Sequence, residues 1–194
     1  MLASEKLLVR LLNEERTRTV RGVEAFMACR GILLALTDEQ ASRFLAASSD
    51  DELVELMREV EDAWDEDFVQ PTDKAWDFIH RCLSDGTTNT EGGTYPLNRS
   101  ILGGQQLYHG DDYVMAFVSA PEVQDVAGAI VAVTESWFRE RFSRFRDTYS
   151  PQIFLQGEGY EQMLAYAWEY MGFVGEFYQR AAQAKRAVIF TVDQ

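Results

Sequence analysis

Near the end of the sequence lies Ala187-Val188-Ile189-Phe190-Thr191-Val192, in which every residue after Ala187 carries a β-branched or aromatic side chain, at odd and even positions alike. A half-buried strand alternates apolar with polar, so a strand apolar on both faces belongs in the interior of a sheet. Working outward, the helix before it runs from about Tyr160 to Ala184. Met163, Leu164, Ala167, Met171, Val174, Phe177, Tyr178 and Ala181 form one stripe along it, and Gly172 and Gly175 permit close approach of another backbone. Tyr113–Ser119 reads as another strand, and Phe26–Leu36, interrupted only by Gly31, as the first. These elements predict an α+β fold. It is a mainly helical single domain with about six to seven helices around a small mixed sheet of three or more strands, occupying residues 25–194. Residues 1–24 read as an N-terminal helical appendage. Leu7, Leu8, Leu11 and Leu12 share one face there, and a linker follows from Arg16 to Gly22.

Three helices are expected between the first two strands. Thr37-Asp38-Glu39-Gln40 has capping-box spacing and opens a short helix that packs Phe44 and Leu45. Ser49 to Glu52 repeats the signature, and Leu53, Leu56, Met57, Val60 and Trp64 follow at spacings of three and four. A third helix begins near Thr72, after Pro71, and buries Trp76, Ile79, His80 and Leu83. Later, Pro121 opens a segment with Val123, Val126, Ala127, Ile130 and Val131 on one stripe. Trp137, Phe138, Phe142 and Phe145 mark a helix with an aromatic face, ended by Tyr149-Ser150-Pro151. Such aromatic stripes are read as core.

The formal charge is −14 over 194 residues, which disfavours binding to nucleic acid or to anionic membrane surfaces. The field is uneven: from Asp38 to Asp77, fourteen acids stand against Arg43, Arg58 and Lys74, which is −11 of the total. A basic protein is the partner such a surface would steer. No apolar run approaches the roughly 20 residues of a membrane span. Cys29 and Cys82 are read as reduced and buried, the leucines near the start do not make a secretory signal, and the expected location is cytoplasmic.

Between Ser84 and Asp112 lie 29 residues with six glycines (Gly86, Gly92, Gly93, Gly103, Gly104 and Gly110) and at most one helical turn, over Pro96–Leu102. Loops this long are usually functional or disordered, so this is where a site is sought. Only His80 and His109 can transfer protons near neutral pH. No G-x-S-x-G elbow surrounds Ser100, and Gly92-Gly93 and Gly103-Gly104 lack the lysine of a phosphate-cradling loop. His80 with Cys82 matches no zinc spacing, and Asp65-Glu66-Asp67 lacks the pattern of a calcium loop, so neither metal nor cofactor is expected. The ligand-binding candidates are Trp76, His80, Arg99, Gly103, Gly104 and His109. His80, on an apolar helix stripe, reads first as a buried residue bonded to the loop above it.

The chain resembles the YfbM-like family of uncharacterised bacterial proteins over roughly Met27–Val192. The resemblance rests on Leu36-Thr37-Asp38-Glu39-Gln40, on Asp73-Lys74-Ala75-Trp76-Asp77-Phe78-Ile79-His80, and on Pro96-Leu97 with Ile101-Leu102-Gly103-Gly104. Pro121-Glu122-Val123, Tyr149-Ser150-Pro151-Gln152-Ile153 and Phe177-Tyr178-Gln179-Arg180-Ala181-Ala182 add to it. It implies a compact α+β fold and a bacterial origin, and no activity.

The resulting expectation is a non-catalytic binding or protein-interaction domain whose Trp76–His80 helix supports the glycine-rich loop. Two alternatives stay open. One is a hydrolase- or transferase-type enzyme with His80 or His109 as general base and Arg99 holding an anion. The other is an acidic neutraliser of a basic toxin, working through residues 38–77.

Overall fold

The structure, a computed structural model, describes residues 30–110, 113–145 and 159–193. The expected helix over Ser4–Thr17, residues 26–29 with Cys29, and the Tyr149-Ser150-Pro151 break lie outside the described residues.

Five strands, β1 (Gly31–Leu36), β2 (Val69–Asp73), β3 (Gln105–Gln106), β4 (Tyr113–Val118) and β5 (Ala187–Asp193), form one sheet in the order β2-β1-β5-β4-β3. The two-sided apolar strand is its central member. Its Ile189 is flanked by Leu34 of β1 and Phe117 of β4. Every pairing is antiparallel, which corrects the expected mixed sheet. A strand apolar on both faces needs cover on both sides; it does not need parallel neighbours. Here each helical excursion returns the chain antiparallel to the strand it left, once between β1 and β2 and once between β4 and β5.

The excursion after β1 holds α1 (Asp38–Ala46) and α2 (Asp50–Ala63). Thr37 caps α1 reciprocally with Gln40 (Gln40 N to Thr37 Oγ1 3.2 Å, Thr37 N to Gln40 Oε1 2.8 Å), and Ser49 caps α2. Next comes α3 (Ala75–Leu83), and after β4 follow α4 (Ala120–Ile130), α5 (Glu135–Arg144) and α6 (Tyr160–Gln183). Pro121 lies in the first turn of α4, where its missing N–H costs nothing.

The pleat sends alternate side chains to two cores. Leu34, Leu36, Met115, Phe117, Ala187 and Ile189 pack against Phe44, Leu53, Leu56 and Met57 of α1 and α2. Leu33, Ala35, Ala116, Val118, Val188 and Phe190 pack against α3 to α6, through residues such as Trp76, Val126, Phe138, Phe142 and Phe177. The result is three layers: two helices, the sheet, and four helices.

Three local expectations are corrected. Thr72 does not start a helix: Val69–Asp73 is strand β2 at the sheet's edge, where Pro71 is tolerated because an outer strand has backbone groups that need no ladder partner. Leu45 is 51% exposed, since it stands beside the stripe that Phe44 occupies. Trp64 is 49% exposed because α2 ends at Ala63 and Trp64 turns left-handed (φ 34°), swinging the indole off the stripe.

Candidate functional site

All nine residues of α3 are buried. Trp76 packs its ring 5.7 Å from Phe190 of β5, and Phe78 lies 5.4 Å from Phe142 of α5. Asp77 and Arg81 pair inside this layer at 3.2 Å, one helical turn apart. Burial raises the Asp77 carboxyl above the usual carboxylate range, and the Arg81 guanidinium opposes that. Arg81 also donates to the carbonyl of Gly86 at 3.1 Å, so a buried charge pair reaches the start of the glycine-rich segment.

His80 is the second tie to that segment. It is 1% exposed, and its Nε2 lies 3.4 Å from the carbonyl of Asn89 while its Nδ1 faces the backbone N–H of Leu102 at 3.5 Å. These partners define the tautomer: Nε2–H donates and Nδ1 accepts. Desolvation pushes the imidazole down to about 4, against an upward pull from Asn89. The Cys82 thiol, on the same helix, is pushed up by burial.

Further bonds fix the segment from several sides. Tyr178 of α6 donates to the carbonyl of Ser100 at 2.9 Å, Arg141 of α5 to that of Ser84 at 3.1 Å, and Asn98 to that of Gly92 at 3.1 Å. Asp85 gathers the N–H and hydroxyl of Thr87, which holds its carboxyl below the ordinary range. Tyr95 donates to Asp125 of α4. A Cβ on Gly103 would meet the Asn98 carbonyl oxygen at 2.0 Å, and one on Gly104 the Phe117 carbonyl oxygen at 2.4 Å. Both positions demand glycine because two backbones touch there.

Among the six ligand-binding candidates, His80, Arg99, Gly103 and Gly104 are brought together: Arg99 donates to the Gly103 carbonyl, next to Leu102. Its Nε has no hydrogen-bond partner, although the Glu122 carboxylate is 3.9 Å away. Trp76 and His80 lie under the segment, with no surface turned to solvent. His109 stands apart and exposed. Its backbone N–H donates to Asp50 at the start of α2, on the opposite side of the sheet from His80. Among the described residues, no group of three or more His, Cys, Asp or Glu is arranged to hold a metal ion, and no helix is long and apolar enough to cross a membrane.

The α1–α2 layer holds a feature that helix spacing concealed. From Asp38 to Asp67, twelve acids accompany Arg43 and Arg58, and most of these carboxylates are exposed. Arg43 pairs with Glu59 at 2.6 Å, and the two line a shallow groove with Ala46, Glu52, Glu55 and Leu56. At the end of the layer Trp64 stands half in solvent, with the exposed Asp62, Asp65, Glu66 and Asp67 next to it in sequence. Arg186 lies 3.4 Å over the Phe68 ring and 3.3 Å from Asp65, a basic side chain held by aromatic face and carboxylate together. The signal in the sequence was the acidic run immediately after Trp64, which no core face would carry.

With a fully antiparallel sheet covered on both sides, the molecule is a three-layer α+β domain. The family described as "Domain of unknown function (DUF1877)" matches residues 27–191, and the chain belongs to it. The crystal structure of a protein of unknown function, YfbM from Escherichia coli, shares this fold with a TM-score of 0.57. It is 18% identical, and the match covers 84% of this chain and 99% of that one. No curated protein matches the chain.

Proposed function

We propose that the protein is a non-catalytic interaction domain that takes a basic protein partner on the α1–α2 side, anchored at Trp64. The observation carrying this reading is the half-exposed Trp64, on a left-handed backbone and flanked in sequence by Asp62, Asp65, Glu66 and Asp67. A bulky residue at positive φ costs about 1–2 kcal/mol. An exposed tryptophan is the side chain most enriched at binding hot spots. Its surroundings select the partner's sign: the acidic layer attracts positive charge from a distance, and an indole face takes a guanidinium or ammonium at contact. A basic toxin is one such partner. Of the six ligand-binding candidates, Arg99 and His109 keep solvent-exposed surface and are available as contacts. We take the setting to be cytoplasmic; the free, buried thiol of Cys82 suits a reducing compartment.

The general-base alternative draws on His80 or His109. Burial favours a neutral His80 and removes it from any substrate in solvent, and His109 lies across the sheet from it. The test is titration with an arginine-rich peptide followed by tryptophan emission. Binding should be saturable, weakened by salt, and lost in Trp64→Gly. Binding that is indifferent to Trp64→Gly, or none at low salt, would overturn the proposal.

A further inference from the structure

Gly172 and Gly175 lie in the middle of α6, where glycine disfavours a helix, so a close neighbour is expected there. Among the described residues no backbone supplies it. A Cβ on Gly172 would meet nothing within 4 Å, and one on Gly175 only the Ile130 side chain, at 3.4 Å. The two glycines instead floor an open groove of about 290 Å³ between α6 and the end of α4. Val131, which is 70% exposed, and Val133 form one wall, and Trp168 and Met171 line the α6 side. Ile130 and Met171 belong to the core of the α3–α6 layer, so the groove lies across the sheet from α2.

Charge selects what fits there. Glu169, Gly172 and Glu176 follow one another at spacings of three and four, so both carboxylates share the face of α6 that borders the groove. Both are exposed, and neither is paired with a basic side chain among the described residues. Elsewhere on this layer acids are matched: Glu135 and Glu161 by Arg139, and Glu140 by Arg144. The last turn of α4 holds no basic residue, which leaves the negative end of that helix uncompensated beside the groove. An apolar furrow between two helices with an unpaired acidic edge fits a third helix that is apolar on one side and basic on its flank. A second copy of the chain, at a formal −14, would set acid against acid.

We propose that this groove docks an amphipathic helix of a partner protein, about four turns long. Its apolar stripe seats on Val131, Val133 and the glycine floor, and its lysines or arginines pair with Glu169 and Glu176. This is independent of the partner surface at Trp64, which lies at the end of α2.

The probe is a stapled, fluorescein-labelled helical peptide of about 15 residues, or four turns, with leucine on one face and lysine on its flank. It is titrated against the full chain and followed by anisotropy. Gly172→Leu, which fills open space, should weaken binding at least tenfold, and Glu169→Gln/Glu176→Gln severalfold, while Trp64→Gly leaves it unchanged. Val131→Asp replaces Gly172→Leu if circular dichroism shows that variant unfolded. Binding that survives the groove variant, binding lost in Trp64→Gly, or no saturable binding at low salt overturns the proposal. So does a dimer of the chain, seen by sedimentation, that the groove variant dissociates, which would assign the groove to a second copy.

Discussion

The two helical layers that flank the sheet use their residues in opposite ways. On the α3 side, a nine-residue helix is buried all round and spends even its charged residues internally: Asp77 on Arg81, Arg81 on Gly86, His80 on Asn89 and Leu102. On the α1–α2 side, each helix buries one narrow stripe and gives the rest of its surface, mostly carboxylate, to solvent. The first arrangement holds a long irregular segment in one shape; the second presents a charged face at small conformational cost. The difference shows that glycine content and length do not by themselves locate a binding surface. The long segment is tied down from four elements, and the half-exposed Trp64 stands outside it, at the left-handed end of α2.

The contrast would break most readily at Trp76. Its replacement by alanine should cost about 3–5 kcal/mol, as deletion of a buried large aromatic does, measured by denaturant unfolding. A loss below about 1 kcal/mol would mean that the inner layer is no better packed than the outer one.

A slightly smaller effect comes from His80 and sharpens the contrast by pH. Its folded-state pKa is depressed to about 4 from 6.5, so the unfolded chain binds the extra proton between those values. The stabilising contribution is complete above about 6.5 and is lost as pH falls toward 4, a difference of about 3 kcal/mol. His80→Gln should therefore flatten the stability profile between pH 6.5 and 4 relative to the unmodified protein; profiles that stay parallel would show that the imidazole titrates freely.

The smallest effect is expected across the sheet. Trp64→Gly should change stability by less than about 1 kcal/mol, and toward stabilisation, because glycine relieves the positive φ. A large loss would show that the indole is structural, and the two layers would then differ less than their exposures indicate.

Much of this architecture was legible in the sequence because it is written in short-range periodicity. The stripe of α6, the capping box of α1, the proline of α4 and the two-sided apolar run of β5 each depend on neighbours a few residues away. β2 was hidden by Pro71, whose outer position only the assembled sheet reveals, and β3 has too few residues to show a period. Trp64 continued the spacing of α2 one residue beyond the helix, where the period no longer says which way a side chain points. In the segment after α3, the glycines and its irregularity could be read directly. Its anchors could not, since Tyr178–Ser100 and His80–Leu102 join residues 78 and 22 positions apart.

The sheet's borders carry one more consequence. Among the described residues the terminal strands are β2, interrupted by Pro71 and an irregular register beside Gly31, and β3, with only two residues. Neither offers the long flat ladder of free amides and carbonyls that templates fibril growth or captures an extended peptide as an extra strand. Crowded solutions of the protein should accordingly stay free of cross-β aggregates.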